Sequence, residues 1–224
     1  MSNLLDNIIW HALSGPLAKF STGTDRARRF APGFSPILGF ADTTQPDFAA
    51  LAPFCGADEH FYCGDWAGPM PAGWRLDEES TMFRMVWAGE PPVKDEAPDA
   101  VPLGREHAMP ALELAMLTHP GPFGPRTIEL GEYFGFFENG RLIAMAGERL
   151  HAGTLREISG VCTDPDFQGR GFARRLMLKL IRLQLQRGQT PFLHVMRENF
   201  AVQFYERLGF RKVKEPVVRV VARI

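Results

Sequence analysis

The sequence predicts an α/β protein: a mixed, mostly antiparallel sheet with helices on both faces. Three observations point there. Glu138-Asn139-Gly140 sits between two apolar runs, Tyr133 to Phe137 and Arg141 to Arg149, and Asn-Gly in that setting marks a two-stranded hairpin. A further apolar run, Leu155 to Cys162, leads into a glycine-rich elbow and then an amphipathic helix. Beyond that helix, short apolar runs alternate with one more helical segment to the end of the chain.

The bulk numbers narrow the class. A chain of 224 residues allows one large domain or two small ones. Its formal net charge of −1 gives no basis for attraction to nucleic acid or to an anionic membrane surface. Cys55, Cys63 and Cys162 form no closely spaced metal pair, and three cysteines do not make a disulfide framework. That usage fits a reduced, cytoplasmic setting. No signal-peptide pattern is expected at the start, and no apolar run approaches the ~20 residues of a membrane span.

Taken in order, Leu4 to Leu17 reads as a short helix. Ile37 to Phe40, His60 to Trp66 and Thr81 to Trp87 read as strands, with Pro69, Pro71 and Gly73 turning the chain between the last two. Residues 1–100 are thus expected to form an N-terminal β-containing subdomain, bounded by the proline-rich stretch from Pro91 to Pro102. Helical spacing returns from Glu106 to Leu117 and stops at His119-Pro120-Gly121-Pro122. After the three strands comes a helix over Gly171 to Arg187, with Leu176, Met177, Leu180 and Leu183 on one side and Gly188 at its end. Pro191 to Met196 reads as a strand and Asn199 to Leu208 as a helix. Phe210 to Val213 and Val217 to Val221 close the chain as strands.

The elbow carries chemistry. Gln168-Gly169-Arg170-Gly171-Phe172-Ala173-Arg174 places closely spaced glycines directly before a helix. The first turn of a helix has unpaired N–H groups and partial positive charge, and together these suit a phosphate or diphosphate. The bland reading is a loop that only starts a helix. A dinucleotide G-x-G-x-x-G site needs a small residue where Arg174 stands and an acid ~20 residues on, where Gln189-Thr190-Pro191 is found.

A second stretch, Asn199-Phe200-Ala201-Val202-Gln203-Phe204-Tyr205-Glu206-Arg207-Leu208-Gly209-Phe210, follows one helix and one strand later. It resembles the C-terminal motif of the GCN5-related N-acetyltransferase (GNAT) superfamily, in the branch that includes FR47-like and glycine N-acyltransferase-like proteins. The elbow resembles that superfamily's coenzyme A diphosphate motif. The resemblance covers roughly Ala100 to Ile224, so residues 101–224 are expected to be a GNAT domain with a sheet splayed near its centre. Residues 1–100 lie outside it and are expected to be a degenerate relative of the same fold that extends the sheet and walls the acceptor site.

The resemblance implies roles. Backbone amides from Gln168 through Gly169, Arg170, Gly171, Phe172 and Ala173 to Arg174 would hold the diphosphate of acetyl-CoA. Val161 and Thr163 would bond the pantetheine arm, and the amide near Val161 or Cys162 would polarise the thioester carbonyl. Tyr205 stands where the family's general acid stands; otherwise it packs under the sheet. Asn199 would contact pantetheine, or simply cap its helix. Glu157, eleven residues before Gln168, would be the general base, or else a strand carboxylate paired with Arg156 or Arg141. No metal is expected, since the six histidines show no ligand spacing. Cys162 reads as a small buried cysteine rather than a nucleophile, and Trp66, Trp74 and Trp87 as core residues.

The expected activity is transfer of an acyl group, acetyl first, from acetyl-CoA to the primary amine of a small molecule, by direct attack in a ternary complex. The alternative is a catalytically inactive acyl-CoA-binding regulatory module. Pairing of terminal strands would allow a homodimer, though no motif supports it.

Overall fold

The computed structural model describes residues 4–224. One sheet of 12 strands runs through the molecule. The N-terminal part supplies α1 (Ile8–Ser14), β1 (Ser21–Gly23), β2 (Ala27–Phe30), β3 (Ile37–Phe40), α2 (Phe48–Leu51), β4 (His60–Gly64) and β5 (Trp74–Trp87). The C-terminal part supplies β6 (Val101–Pro102), α3 (Ala108–Thr118), β7 (Tyr133–Glu138), β8 (Arg141–Ala152), β9 (Leu155–Thr163), α4 (Phe172–Gln186), β10 (Thr190–Met196), α5 (Ala201–Leu208), β11 (Phe210–Lys214) and β12 (Val217–Arg223). The order across the sheet is β1-β2-β3-β4-β12-β5-β10-β9-β8-β7-β6, with β11 beside β5. Pairing is antiparallel except at β3–β4 and β9–β10.

The two parts exchange strands. β12, the last strand of the chain, lies between β4 and β5. β5 in turn reaches into the C-terminal half, where β10 pairs one edge of its Met82–Val86 stretch and β11 pairs the other. β11 and β12 follow one another along β5, with a register break at Lys212–Lys214 and Pro216 between them. Because β12 is hydrogen-bonded on both edges, it has no free edge for a homodimer. The expected boundary from Pro91 to Pro102 is not a loose tether either. Ala97 and Ala100 are buried against α4, and Asp95 and Asp99 pair with Lys179 and Arg175 of that helix.

The expected C-terminal elements match the sequence reading within about three residues, and the short β6 was not expected. The hairpin turn has Asn139 and Gly140 both at positive φ, 51° and 79°, the geometry that selects Asn-Gly. The N-terminal strands were less legible. β1 and β2 are short, and β2 carries Arg28 and Arg29 in place of an apolar alternation. β5 begins seven residues before the expected strand, through the charged run Arg75 to Glu79. Its partner β12 supplies the pairing that this polar sequence does not advertise.

Helix α4 anchors the C-terminal core. Leu176, Met177, Leu180 and Ile181 recur at helical spacing and are fully buried against β7, β8, β9 and β10 residues such as Phe134, Ile143, Ile158 and Leu193. Gly171 opens the helix at φ 82° with no side-chain cap. The elbow geometry depends on this packing, because α4 aims its N-terminus at the sheet. Leu180→Ala is expected to cost about 2–5 kcal/mol, as a buried leucine replaced without refilling does. Urea unfolding checks it; a loss under 1 kcal/mol would mean that α4 is not the anchor described.

Candidate functional site

β9 and β10 are parallel partners only at Leu155–Glu157 with Thr190–Phe192. Beyond that point they separate. A local cause lies in β9. Gly160 has φ 63°, and the register with β8 slips between Met145↔Cys162 and Gly147↔Ser159. This is a bulge, which bends and twists the strand that carries it. Glycine is required there twice over: by the positive φ, and because a Cβ would sit 3.1 Å from the Tyr133 ring.

The gap opens into a cleft of about 790 Å³. One end is the elbow, with Val161, Cys162, Thr163, Gln168, Gly169, Gly171, Phe172, Ala173 and Arg174 in its wall. The side near β10 and α5 brings Val195, Met196, Asn199, Phe204 and Tyr205. The other end is built by the N-terminal part and its neighbours: Ile9, Ile37, Tyr62, Glu78, Ser80, Met82, Val218 and Val220. Of the residues singled out in the sequence, Arg170 and Glu157 are not in the cleft wall. Arg170 lies over the Phe167 ring at 4.8 Å and donates to the Asp166 carbonyl.

The elbow has what an anion needs. Among the described residues the amides from Gly169 to Arg174 have no acceptor, whereas Arg175 N–H already bonds the Gly171 carbonyl at 3.0 Å. Gly169 and Gly171 have φ of 76° and 82°, and a Cβ on either would point into open space. Thr163 Oγ1 is buried with no partner, on the strand edge where β10 has turned away. Unspent donors, an uncapped helix N-terminus and an orphaned hydroxyl all suit a diphosphate followed by an amide-bearing arm. Asn199 lines the cleft while its Oδ1 accepts from Ala201 N–H at 2.8 Å, so it caps α5.

Tyr205 is buried, and among the described residues its hydroxyl has no hydrogen-bond partner. Burial, with a smaller contribution from Cys162, pushes the phenol up to about 12. It therefore stays protonated at neutral pH. Cys162 is also buried, and its thiol is pushed up to about 12 by burial, so it is no nucleophile. Trp66 and Trp74 pack in the N-terminal core, and Trp87 packs edge-on against Phe210.

Glu157 corrects the sequence reading. It is fully buried, and both carboxylate oxygens are engaged. Arg149 grips it through Nε at 3.0 Å and Nη2 at 2.8 Å, Leu150 N–H donates at 3.1 Å, and His194 Nδ1 lies at 2.7 Å. The partner is thus neither Arg156, which faces Glu148, nor Arg141, which pairs with Asp164. Burial alone would raise the Glu157 carboxyl. The Arg149 charge and the bonds from His194 and Arg149 outweigh it and hold the group well below the carboxylate range. A carboxylate so held is a poor proton acceptor, and it has no face in the cleft.

The network continues. Arg84 Nε donates to His194 Nε2 at 2.9 Å, and Arg84 Nη2 meets Asp65 at 2.6 Å. Arg84 is fully buried and also donates to the Leu5 carbonyl. His194, held between Arg84 and Glu157, is neutral: burial lowers its pKa and outweighs the pull of Glu157. Since Nε2 accepts from Arg84, Nδ1 carries the proton and donates to Glu157. Sequence reading missed Arg84, Arg149 and the part His194 plays. The available signal was a titratable residue flanked by apolar ones at Arg84 and at His194, and one within the mostly apolar strand β8 at Arg149. Among the described residues, no group of three or more His, Cys, Asp or Glu could hold a metal ion. Among the described residues, no helix is long and apolar enough to cross a membrane.

Comparison with known proteins agrees with this geometry. A family model described as FR47-like protein matches residues 133–220. A putative acetyltransferase from the GNAT family of Novosphingobium aromaticivorans is 32% identical in sequence, and the match covers 100% of both chains with a TM-score of 0.88. A GCN5-related N-acetyltransferase from Kribbella flavida, 15% identical, shares the fold over 99% of this chain and 96% of its own, with a TM-score of 0.61. An uncharacterized N-acetyltransferase of Methanocaldococcus jannaschii is 40% identical over 74 residues, which is 31% of this chain and 33% of that relative's length.

The buried network sets the acid sensitivity. Both Glu157 and His194 have folded pKa values below their unfolded ones, 4.5 and 6.5, so the unfolded chain binds more protons as pH falls. Stability is expected to be full above pH 6.5, to decline below it as unfolded His194 protonates, and to fall further below pH 4.5. Glu157→Gln, which strands Arg149, is expected to cost about 3–5 kcal/mol at pH 7 and to flatten the low-pH slope. Denaturant titrations at several pH values check both; an unchanged slope in Glu157→Gln would rule out this account.

Proposed function

Because this chain belongs to the GCN5-related N-acetyltransferase family, we propose that it transfers an acetyl group from acetyl-CoA to a primary amine of a small molecule. Attack is direct, with both substrates held in the one cleft. The observation that carries the reading is the run of acceptor-free amides from Gly169 to Arg174, which faces the same cleft as the unbonded Tyr205 hydroxyl.

Each residue then has a task. The elbow amides and the N-terminus of α4 bind the diphosphate, with Arg174, which has no partner among the described residues, adding charge. The open edge of β9, from Val161 to Thr163, bonds the pantetheine arm as an added strand would. An amide at Val161 or Cys162 polarises the thioester carbonyl. The ammonium first loses one proton to water in the cleft. Its nitrogen then bonds the carbonyl carbon, and the C–S bond breaks. The departing sulfur takes the Tyr205 proton, and the nitrogen's second proton leaves through water as Tyr205 is restored. Holding donor and acceptor side by side supplies much of the rate.

Tyr205→Phe is expected to lower the turnover number for thiol release about 10²-fold or more while acetyl-CoA affinity is kept. Unchanged thiol release would remove Tyr205 from the chemistry. Gly171→Val places a branched side chain at a φ of 82° and into the elbow. Calorimetry is expected to show acetyl-CoA affinity reduced at least about tenfold, one lost charge-assisted contact being enough for that. Full affinity in Gly171→Val would put the diphosphate elsewhere. Binding of acetyl-CoA with no thiol release for any amine would favour the inactive, regulatory module.

A further inference from the structure

The acceptor end of the cleft has a definite chemistry, and it comes from the strands exchanged between the two parts. Tyr62 on β4, Val220 on β12 and Glu78 on β5 are direct cross-strand neighbours and share one face of the sheet. The next row on that face is Gly64, Val218 and Ser80. Ile9 and Ile37 close the apolar floor.

Glu78 is the one carboxylate among the residues that line the cleft. It is exposed, and among the described residues it has no hydrogen-bond or ion-pair partner. Its neighbours on β5 are different. Asp77 pairs with Arg75, and Glu79 pairs with Arg219. The charge of Glu78 is felt nonetheless: the Tyr62 phenol is raised by burial and then by Glu78, against a smaller lowering by Arg149. Arg149 does not offset Glu78, because Glu157 already holds it on two atoms. The cleft therefore has an anion-binding end at the elbow and a single unpaired anion at the other, with an apolar surface beside it.

We propose that Glu78 and this floor form the acceptor subsite, and that the acceptor is a primary amine with an apolar body, captured as its ammonium by Glu78. The proposal rests on the acyl-transfer reading above. Val218, Val220, Ile9 and Ile37 take the carbon skeleton, and Glu78 takes the charged end before it turns to the thioester. An acceptor that carries its own carboxylate meets Glu78 as a like charge with no free cation near it. This disfavours amino acids.

The test is thiol release from acetyl-CoA with butylamine, hexylamine, glycine and glutamate. It uses the full chain, Glu78→Gln and Glu78→Lys, with acetyl-CoA affinity measured on each by calorimetry. Glu78 is exposed, so both variants are expected to unfold at the parent's temperature. Hexylamine should exceed butylamine in kcat/KM by roughly threefold to fourfold per methylene. Both should exceed glycine and glutamate at least about tenfold. Glu78→Gln should raise the KM of the alkylamines about tenfold with acetyl-CoA affinity unchanged, and Glu78→Lys should raise it further. Equal alkylamine KM in Glu78→Gln, or faster acetylation of glycine or glutamate, would overturn this proposal while leaving the transferase reading intact. Acetyl-CoA binding with turnover of neither alkylamine would overturn it too. Failure of the parent chain to bind acetyl-CoA would take down both readings.

Discussion

Where β9 and β10 part, side-chain charge takes over from backbone hydrogen bonds. Backbone pairing between them ends at Glu157 and Phe192. At that point Arg84 of β5, His194 of β10, Glu157 of β9 and Arg149 of β8 form one chain of contacts across four neighbouring strands. Asp65, just past β4, continues it. Two carboxylates, two guanidiniums and a neutral imidazole balance to zero, so the row is buried without a net charge. Removing any one of the four charged members leaves a buried charge without its partner, a far larger penalty than the row's net contribution to stability. A splayed sheet without such a tie would close its gap by pairing, or would open and admit water to the core. The bulge at Gly160 turns β9 aside, and this row ties the two strands at the point where they part.

The same row joins the two parts of the chain. Arg84 and Asp65 come from the N-terminal part, and His194, Glu157 and Arg149 from the C-terminal part. The strand exchange does likewise with backbone: β12 cannot leave β4 and β5 without exposing two edges. Neither the acceptor wall nor the gap between β9 and β10 would therefore keep its shape if the parts separated. The elbow end of the cleft, from the C-terminal part, and the far end, where β12 joins β4 and β5, are held in register by structure that neither part has alone.

Much of the donor end was legible in the sequence, for a physical reason. Its tasks fall to main-chain amides, and glycines at fixed spacing before a helix are a local requirement that a short stretch displays. Tyr205 and Asn199 were placed only through the resemblance of their segment to a family motif. The acceptor end was not legible, because its rows are assembled across strands far apart in the chain. Tyr62, Val220 and Glu78 are neighbours only after β12 has entered between β4 and β5. The polar run Arg75 to Glu79 hides half of β5 for the same reason: its partners lie near the C-terminus. Glu157 shows the opposite error. Its distance from the elbow suggested a base, but distance along a strand cannot say that Arg149 and His194 occupy both oxygens. Gly160 was a readable clue left unused, a glycine inside an apolar strand that marks the bulge.

A phenol raised to about 12 looks like an unpromising acid for a sulfur whose ordinary pKa is ~8.5 or above. The surroundings change the comparison. What raises Tyr205 is loss of water, and a thiolate released beside it loses the same water. Cys162, buried in the same wall, serves as the internal gauge: its thiol is also raised to about 12. Burial raises the Cys162 thiol further from its ordinary value than it raises the Tyr205 phenol, so the difference between phenol and thiol shrinks where water is lost. Proton transfer between groups of matched pKa needs little driving force from elsewhere. An acid with a hydroxyl bonded to backbone or to a carboxylate would forfeit that match. In the proposed reaction, the unbonded hydroxyl of Tyr205 would keep its one proton available for the sulfur.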